Sequence, residues 1–298
     1  MTEHMRYRHR PYSGTSDLRQ MQSLSQRLWS PASRWHPGEL VWLRLHAIGR
    51  EAQWNTSLWY FREQLVAWAW ARQPAHLDLQ LDPEHIELAD DILRWFDDVT
   101  AAEAGRTVTV LDAETGLIDA LRRNGYREQT DGPFYVHLGR DLTDLPQPEL
   151  PGGYTLHSML GVSDADARAR LDRAAFSQPP DTLNGVRYRE IMRTWPYRPE
   201  LDRFVAAPDG TPAAFCLAWL DEQNRVAVLE PVGTAPGHRR LGLATAAILS
   251  ALQAAETLGA DYARVCARGN DDHRAARSTY ESLGFRRYAT NLTWSREA

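Results

Sequence analysis

The chain has 298 residues, 43% of them hydrophobic and 24% charged, with a formal net charge of −5. That length accommodates two domains of ordinary size, each with a real core. The acidic balance argues against general nucleic-acid binding, which needs a basic face. All 34 basic residues are arginine, which excludes Schiff-base and lysine-nucleophile chemistry. Cys216 and Cys266 lie in apolar strand-like runs and read as free thiols of a reducing compartment, not as a disulfide framework. No apolar leader follows Met1 and no apolar run is long enough to span a bilayer, so a cytoplasmic location without a membrane partner is expected.

The N-terminal half predicts a Trp-containing strand over Leu65–Trp70 and a second strand from His76 to Pro83. The stretch that follows, Glu84–Asp91, carries four carboxylates (Glu84, Glu87, Asp90 and Asp91) and neither glycine nor arginine. Acidic residues suit the start of a helix but would repel a phosphate. A later helix ends in Leu121-Arg122-Arg123-Asn124-Gly125-Tyr126, with Gly125 placed to cap it in the left-handed region. A final strand is expected at Phe134–Leu138. This half also holds eight of the eleven tryptophans, and the run Trp54–Tyr60 is a candidate for an aromatic pocket or for the face between halves.

Three prolines and two glycines between Leu142 and Gly153 mark a linker. The division is therefore residues 1–144, a linker at 145–152, and residues 153–298. The second half repeats the outline of the first. Strands Ala214–Leu220 and Val226–Val232 are followed by a helix, a strand at Tyr262–Ala267, a helix ending in Tyr280-Glu281-Ser282-Leu283-Gly284-Phe285, and a strand at Thr290–Trp294. The fold class expected is α/β (α+β), a tandem of two related domains, each a mixed and mostly antiparallel sheet flanked by helices.

What separates the halves is the stretch after Val232. Gly233-Thr234-Ala235-Pro236-Gly237-His238-Arg239-Arg240-Leu241-Gly242-Leu243-Ala244-Thr245 reads as a strand end, a basic loop and the first turn of a helix. Such a turn offers unpaired backbone N–H groups and the positive end of the helix dipole, which suits phosphate. Arg239 and Arg240 would offset anionic charge, and Gly242 and Ala244 are small where a ligand must approach the backbone. No His, Cys or Asp cluster has metal-ligand spacing, so no metal is expected.

On these residues the segment 153–298 resembles the GNAT acetyltransferase superfamily. Counting from Pro236, Arg239 stands three on, Gly242 six on and Ala244 eight on, as in the family's acetyl-CoA loop. The family pattern often has Gly where Arg240 stands and a basic residue where Leu241 stands. The resemblance implies acetyl-CoA as acyl donor, with the backbone of Val232, Gly233 and Thr234 pairing with the pantetheine arm. The strand Tyr262–Ala267 would splay away to leave a wedge for the thioester. Residues Arg239 through Thr245 would cradle the pyrophosphate. Tyr280 matches the Tyr four residues before Gly-Phe in the family. The Asn that precedes it by seven residues falls on His273, whereas Asn270 lies ten before, so either takes the cofactor-side position.

The reaction sets the remaining roles. An ammonium group must lose a proton before its nitrogen attacks a thioester, and Glu230 is the candidate general base. The departing thiolate needs a proton, and Tyr280 is the candidate general acid. A backbone N–H of the Glu230–Thr234 strand would polarise the carbonyl. In GNAT-like folds the helices before the central strands wall the acceptor pocket, which points to Phe176, Tyr188 and Trp195. The expected activity is transfer of acetyl to a small-molecule amine by a monomer or homodimer. A non-catalytic acyl-CoA-binding or regulatory module is the alternative, and the acidic Glu84–Asp91 stretch marks the N-terminal half as a degenerate copy.

Overall fold

The computed structural model describes residues 7–46, 54–100, 105–179 and 182–297, without the side chain of residue 273. The N-terminal half runs β1 (Tyr7–Pro11), α1 (Thr15–Arg27), α2 (Pro37–His46), β2 (Trp54–Phe61), β3 (Gln64–Arg72), β4 (His76–Leu81), α3 (Ala89–Val99), β5 (Arg106–Leu111), α4 (Thr115–Arg123), β6 (Arg127–Glu128) and β7 (Tyr135–Asp141). The C-terminal half runs β8 (Thr155–Ser158), α5 (Ala165–Phe176), α6 (Gly185–Arg193), β9 (Asp202–Ala206), β10 (Pro212–Asp221), β11 (Val226–Thr234), α7 (Leu243–Thr257), β12 (Tyr262–Arg268), α8 (Ala275–Ser282) and β13 (Arg286–Arg296).

One continuous sheet carries both halves, in the order β1-β2-β3-β4-β5-β13-β7-β12-β11-β10-β9-β8, with the short β6 paired to β13 off that path. Each half does end in the strand its sequence predicts, but the two strands change places. β7 lies antiparallel to β12, from Tyr262 opposite Asp141 to Arg268 opposite Tyr135. β13 lies antiparallel to β5, from Asn291 opposite Leu111 to Arg296 opposite Arg106, and its first part also pairs with β7. Backbone hydrogen bonding therefore fastens the halves together. Among the described residues the only parallel neighbours are β4 with β5 and β11 with β12.

The central strands β3 and β10 are buried along nearly their whole length, so they read as continuous apolar runs and not as alternating ones. On one face α7 and α8 cover the C-terminal half of the sheet and α3 and α4 the N-terminal half. On the other face α1 packs on Trp68 and Trp70, while α2, α5 and α6 pack on Leu217 and Trp219. Thus α2 belongs to the first half by sequence but presses on the second: a Cβ added at Gly38 would stand 2.2 Å from Trp219 Cβ. The two helix ends with matched phrases are capped alike. Gly125 and Gly284 have φ of 80° and 86°, and the amides of Tyr126 and Phe285 reach back to the carbonyls of Leu121 and Tyr280. Of the tryptophans in Trp54–Tyr60, Trp59 is buried against the α3 side and Trp54 lies over Trp70, so both serve packing. No helix among the described residues is long and apolar enough to cross a membrane.

Candidate active site

The site is built where β11 leaves β12. Their parallel pairing runs from Val226 to Val228 and stops. On its other edge β11 stays paired to β10 as far as Thr234, with a bulge that sets Glu230 and Pro231 against Leu217. The edge of β11 beyond Val228 thus faces a wedge with its backbone free of β12, as the resemblance implied for the pantetheine arm. Val232 packs its side chain into the core, and Gly233 sits where a Cβ would meet the Phe215 ring at 2.6 Å.

At the wide end of the wedge lies the N-terminus of α7. No side chain caps its first turn, so the first amides have no protein partner within the helix. Gly242, the residue before it, has φ of +76°, and a Cβ there would meet no protein atom within 4 Å. Its left-handed backbone, not crowding by protein, is what asks for glycine. Arg240 is also left-handed, at φ +63°, which gives a physical reason for the family's frequent Gly at this position. The two arginines divide their work. Arg239, though exposed, is tied to the backbone, its Nη2 donating to the Ala175 carbonyl at 2.8 Å and its Nε to the Thr234 carbonyl at 3.3 Å. Arg240 and Leu241 stay exposed, Leu243 buries its side chain, and Ala244 and Thr245 are half-buried. His238 pairs with the Tyr154 hydroxyl at 2.9 Å.

Glu230 is half-buried and looks into a cleft of about 850 Å³ on the α2 side of the sheet. Burial, then the charges of Glu39 and Asp172, push its carboxyl up to about 8, while the Trp42 N–H acts the other way. A carboxylate displaced into this range is a competent proton acceptor near neutral pH. Tyr280 is buried on α8, and its ring meets Phe285 at 5.8 Å. Burial raises its phenol well above the ordinary range, and the nearby Cys216, Glu230 and Cys266 add to this. Such a phenol holds its proton until a strong base forms beside it. Burial likewise pushes up the Cys266 thiol, which suits an inert side chain and not an acyl carrier.

Several expected contacts fall elsewhere. Tyr188 is fully buried, donates to Asp202 Oδ2 at 2.5 Å, and lies under the Arg168 guanidinium at 5.0 Å; a desolvated phenol needs such an acceptor, so it is structural. Trp195 is stacked by Arg19 at 3.5 Å and accepts Gln22 Nε2 on its carbonyl, which makes it a contact between halves. Phe176 is exposed at the end of α5 and leans on Phe215, on the side of the wedge near Arg239. None of the three lines the cleft that Glu230 faces. Asn270 has its amide engaged: Oδ1 accepts the Phe134 N–H at 3.1 Å and Nδ2 donates to the Gly132 carbonyl at 3.0 Å. The alternative, the side chain of His273, lies outside the described residues.

The cleft walls are instead Arg34, Trp35, Glu39 and Leu43 from the N-terminal half, Phe134, Tyr135 and His137 around β7, and Cys266 from β12. Sequence reasoning missed them because they converge only through the exchanged strands. Burial, with the charge of Arg264 adding to it, lowers the imidazole of His137 to about 3, and its Nε2 meets Asn291 Oδ1 at 3.1 Å. No group of three or more His, Cys, Asp or Glu suited to a metal occurs among the described residues.

The N-terminal half keeps the wedge but fills it. β4 pairs with β5 only at His76 and Leu77. Beyond that point Arg34 Nη1 donates to the Thr109 carbonyl at 2.5 Å and Trp35 Nε1 to the Leu79 carbonyl at 2.7 Å, so the two side chains bridge the parted strands. Where the second half has its loop, the first has Pro83 opening a 3-10 turn directly, capped by Asp82 Oδ1 on the Glu84 amide at 3.1 Å.

The acetyltransferase (GNAT) family model matches residues 169–285. A mycothiol acetyltransferase from Streptomyces avermitilis is 27% identical over 157 residues, 52% of this chain and 50% of that protein. The chain thus spans about half the length of the curated relatives it matches. A GCN5-related N-acetyltransferase from Sphaerobacter thermophilus superposes with a TM-score of 0.63 at 19% identity, covering 98% of this chain and 95% of its own. A tandem GNAT protein from the clavulanic acid biosynthesis pathway gives 0.67 at 14% identity, covering 98% of each. At those identities the two structures speak for the fold alone. Residues 169–285 therefore belong to the acetyltransferase (GNAT) family, within a chain whose whole fold matches that of a tandem GNAT protein.

Proposed function

We propose that the protein moves an acetyl group from acetyl-CoA to the amine of a small molecule, at one active site in residues 153–298. The observation that carries this reading is the wedge. It has a free strand edge at Leu229–Thr234, an uncapped helix N-terminus at its wide end and Glu230 on its far wall. The free edge fits the pantetheine amides, and the first turn of α7 with Arg240 fits the pyrophosphate. Arg239 supports the loop from behind. Acetyl-CoA supplies an activated thioester.

Glu230 takes one proton from the acceptor ammonium, which frees the nitrogen lone pair to attack the thioester carbonyl. A new C–N bond forms as the C–S bond breaks. Tyr280 gives its proton to the departing sulfur, the nitrogen sheds its second proton through water to the phenolate left on Tyr280, and Glu230 returns its proton to solvent. The acceptor enters from the 850 Å³ cleft, opposite the cofactor loop. The N-terminal half, residues 1–144, acts as a degenerate copy whose wedge is closed by Arg34 and Trp35. The test is thiol release from acetyl-CoA against a panel of amines, aminoglycosides, amino acids and peptides. Amine-dependent release supports the reading; tight acetyl-CoA binding without release across the panel would favour a non-catalytic acyl-CoA-binding module instead.

A further inference from the structure

Residues 142–154, between the two halves, lie along α7. The Leu142 amide donates to the Asp261 carbonyl at 2.8 Å, beyond the C-terminal end of that helix, and Gln253 Nε2 on α7 donates to the Pro146 carbonyl at 3.1 Å. Leu145, Leu150 and Tyr154 pack against the core that α7 covers. At the opposite end the Tyr154 hydroxyl meets His238 Nδ1 at 2.9 Å, with the rings edge to face and their centroids 5.9 Å apart. The segment thus splints α7 and finishes on the loop that precedes it. That loop has little to hold itself. It is a three-residue 3-10 turn, Pro236–His238, closed by the His238 amide on the Ala235 carbonyl at 2.9 Å, and left-handed backbone follows at Arg240 and Gly242. Side chains tie it on two sides: Arg239 reaches α5 at the Ala175 carbonyl, and His238 reaches Tyr154. The N-terminal half repeats the second tie. Tyr7, at the start of β1, meets His85 Nδ1 at 2.9 Å, edge to face with centroids 5.6 Å apart. His85 stands two residues after Pro83, as His238 stands two after Pro236. There Glu87 accepts the Tyr7 hydroxyl, and the turn leads into α3 with no loop between.

We propose that Tyr154 is a positioning residue for the acyl donor: through its hydrogen bond to His238 it holds the 236–242 loop in the form that receives the pyrophosphate of acetyl-CoA. This rests on the acetyl-CoA reading above. Tyr154 touches no reacting atom and acts through His238. A loop already in its bound shape spares the ordering cost of binding, and that part of the affinity is what the hydroxyl supplies. The pair suits a fixed tie. A phenol donates to a neutral Nδ1 and accepts from a protonated one, so the contact holds in either charge state of the imidazole. The matching Tyr7–His85 contact shows that this fold fastens the turn after its fourth strand in the same way in both halves. Only in the second half does that turn carry an uncapped helix N-terminus, so only there does the tie bear on a ligand.

The experiment compares wild type with Tyr154→Phe, His238→Ala, the double variant and Tyr7→Phe, with acetyl-CoA binding measured by calorimetry and steady-state constants for both substrates. Tyr154→Phe keeps the ring and its packing and removes only the hydroxyl. It should raise the dissociation constant and the KM of acetyl-CoA about fivefold, the effect of one hydrogen bond, with kcat and the acceptor KM within about twofold. His238→Ala should weaken acetyl-CoA at least as much, and the double variant should add less than about twofold to it, because both changes remove the same contact. Tyr7→Phe, the matching change in the half without a cradle, should leave the acetyl-CoA KM within about twofold. An acetyl-CoA KM unchanged in Tyr154→Phe, fully multiplicative effects in the double variant, equal increases for both substrates, or an equal loss in Tyr7→Phe overturns the role of Tyr154 and leaves acetyl transfer standing. A wild type that neither binds acetyl-CoA nor releases thiol overturns both.

Discussion

Replacing Glu230 by Gln tests the chemistry and the electrostatics together. In the folded protein the carboxyl is displaced from an ordinary 4.5 to about 8. That displacement corresponds to about 5 kcal/mol between the charged and neutral forms. With a proton affinity in that range, about 1% of the group is ionised at pH 6, about 10% at pH 7 and half at pH 8. If the ionised form is the base, kcat/KM rises about tenfold from pH 6 to 7 and about fivefold from pH 7 to 8, then levels. An acceptor of low basicity keeps its own titration out of that window. Glu230→Gln should lose about 10²–10⁴ in rate and flatten the profile. Stability carries the opposite sign. Between pH 4.5 and 8 the folded chain holds a proton that the unfolded chain has released, so the group's contribution is full below 4.5 and is lost as pH rises to 8. Glu230→Gln, which does not titrate, should therefore melt higher than wild type at pH 9, by about 1–3 kcal/mol once relaxation and solvent access reduce the 5 kcal/mol ceiling. A kcat/KM flat from pH 6 to 8, or a Glu230→Gln that melts no higher at pH 9, would refute the reasoning.

Arg240→Gly should relieve a left-handed non-glycine backbone, stabilising the fold by up to about 1 kcal/mol in thermal melts while weakening coenzyme A binding in calorimetry. Tyr188→Phe removes the hydroxyl from buried Asp202 and should cost about 1–3 kcal/mol in denaturant melts, with the acceptor KM unchanged; an altered KM would return Tyr188 to the acceptor site. Gly38→Val drives a branched side chain into Trp219 and should cost about 2 kcal/mol or more, seen as a lower midpoint of the urea transition.

What the sequence disclosed was local. The cofactor loop is a contiguous run whose meaning depends on a strand before it and a helix after it, and both are written in neighbouring residues. The same holds for Gly125 and Gly284, whose left-handed caps follow from helix geometry. What it concealed was pairing at a distance. The final strands of the two halves both lie in the interior of the sheet, and nothing in Tyr135–Asp141 or Arg286–Arg296 says which half will hold it. Missing that exchange also hid the cleft, since His137, Glu39 and Cys266 meet only across it. Tyr188 and Trp195 misled for another reason: an aromatic on a helix before the central strands is equally suited to wall a pocket or to bury itself, and Asp202 and Arg19 decide for burial and stacking. Asn270 sits one turn from the expected place, and its amide closes the loop at Gly132–Phe134.

The account holds that the chain carries this fold twice and the cofactor cradle once, at the N-terminus of α7. Calorimetric titration of acetyl-CoA tests that most directly, with wild type set against the double variant Arg240→Glu, Gly242→Glu. The account predicts one site per chain in wild type and none in the variant. Two sites in wild type, or one that survives in the variant, would contradict it.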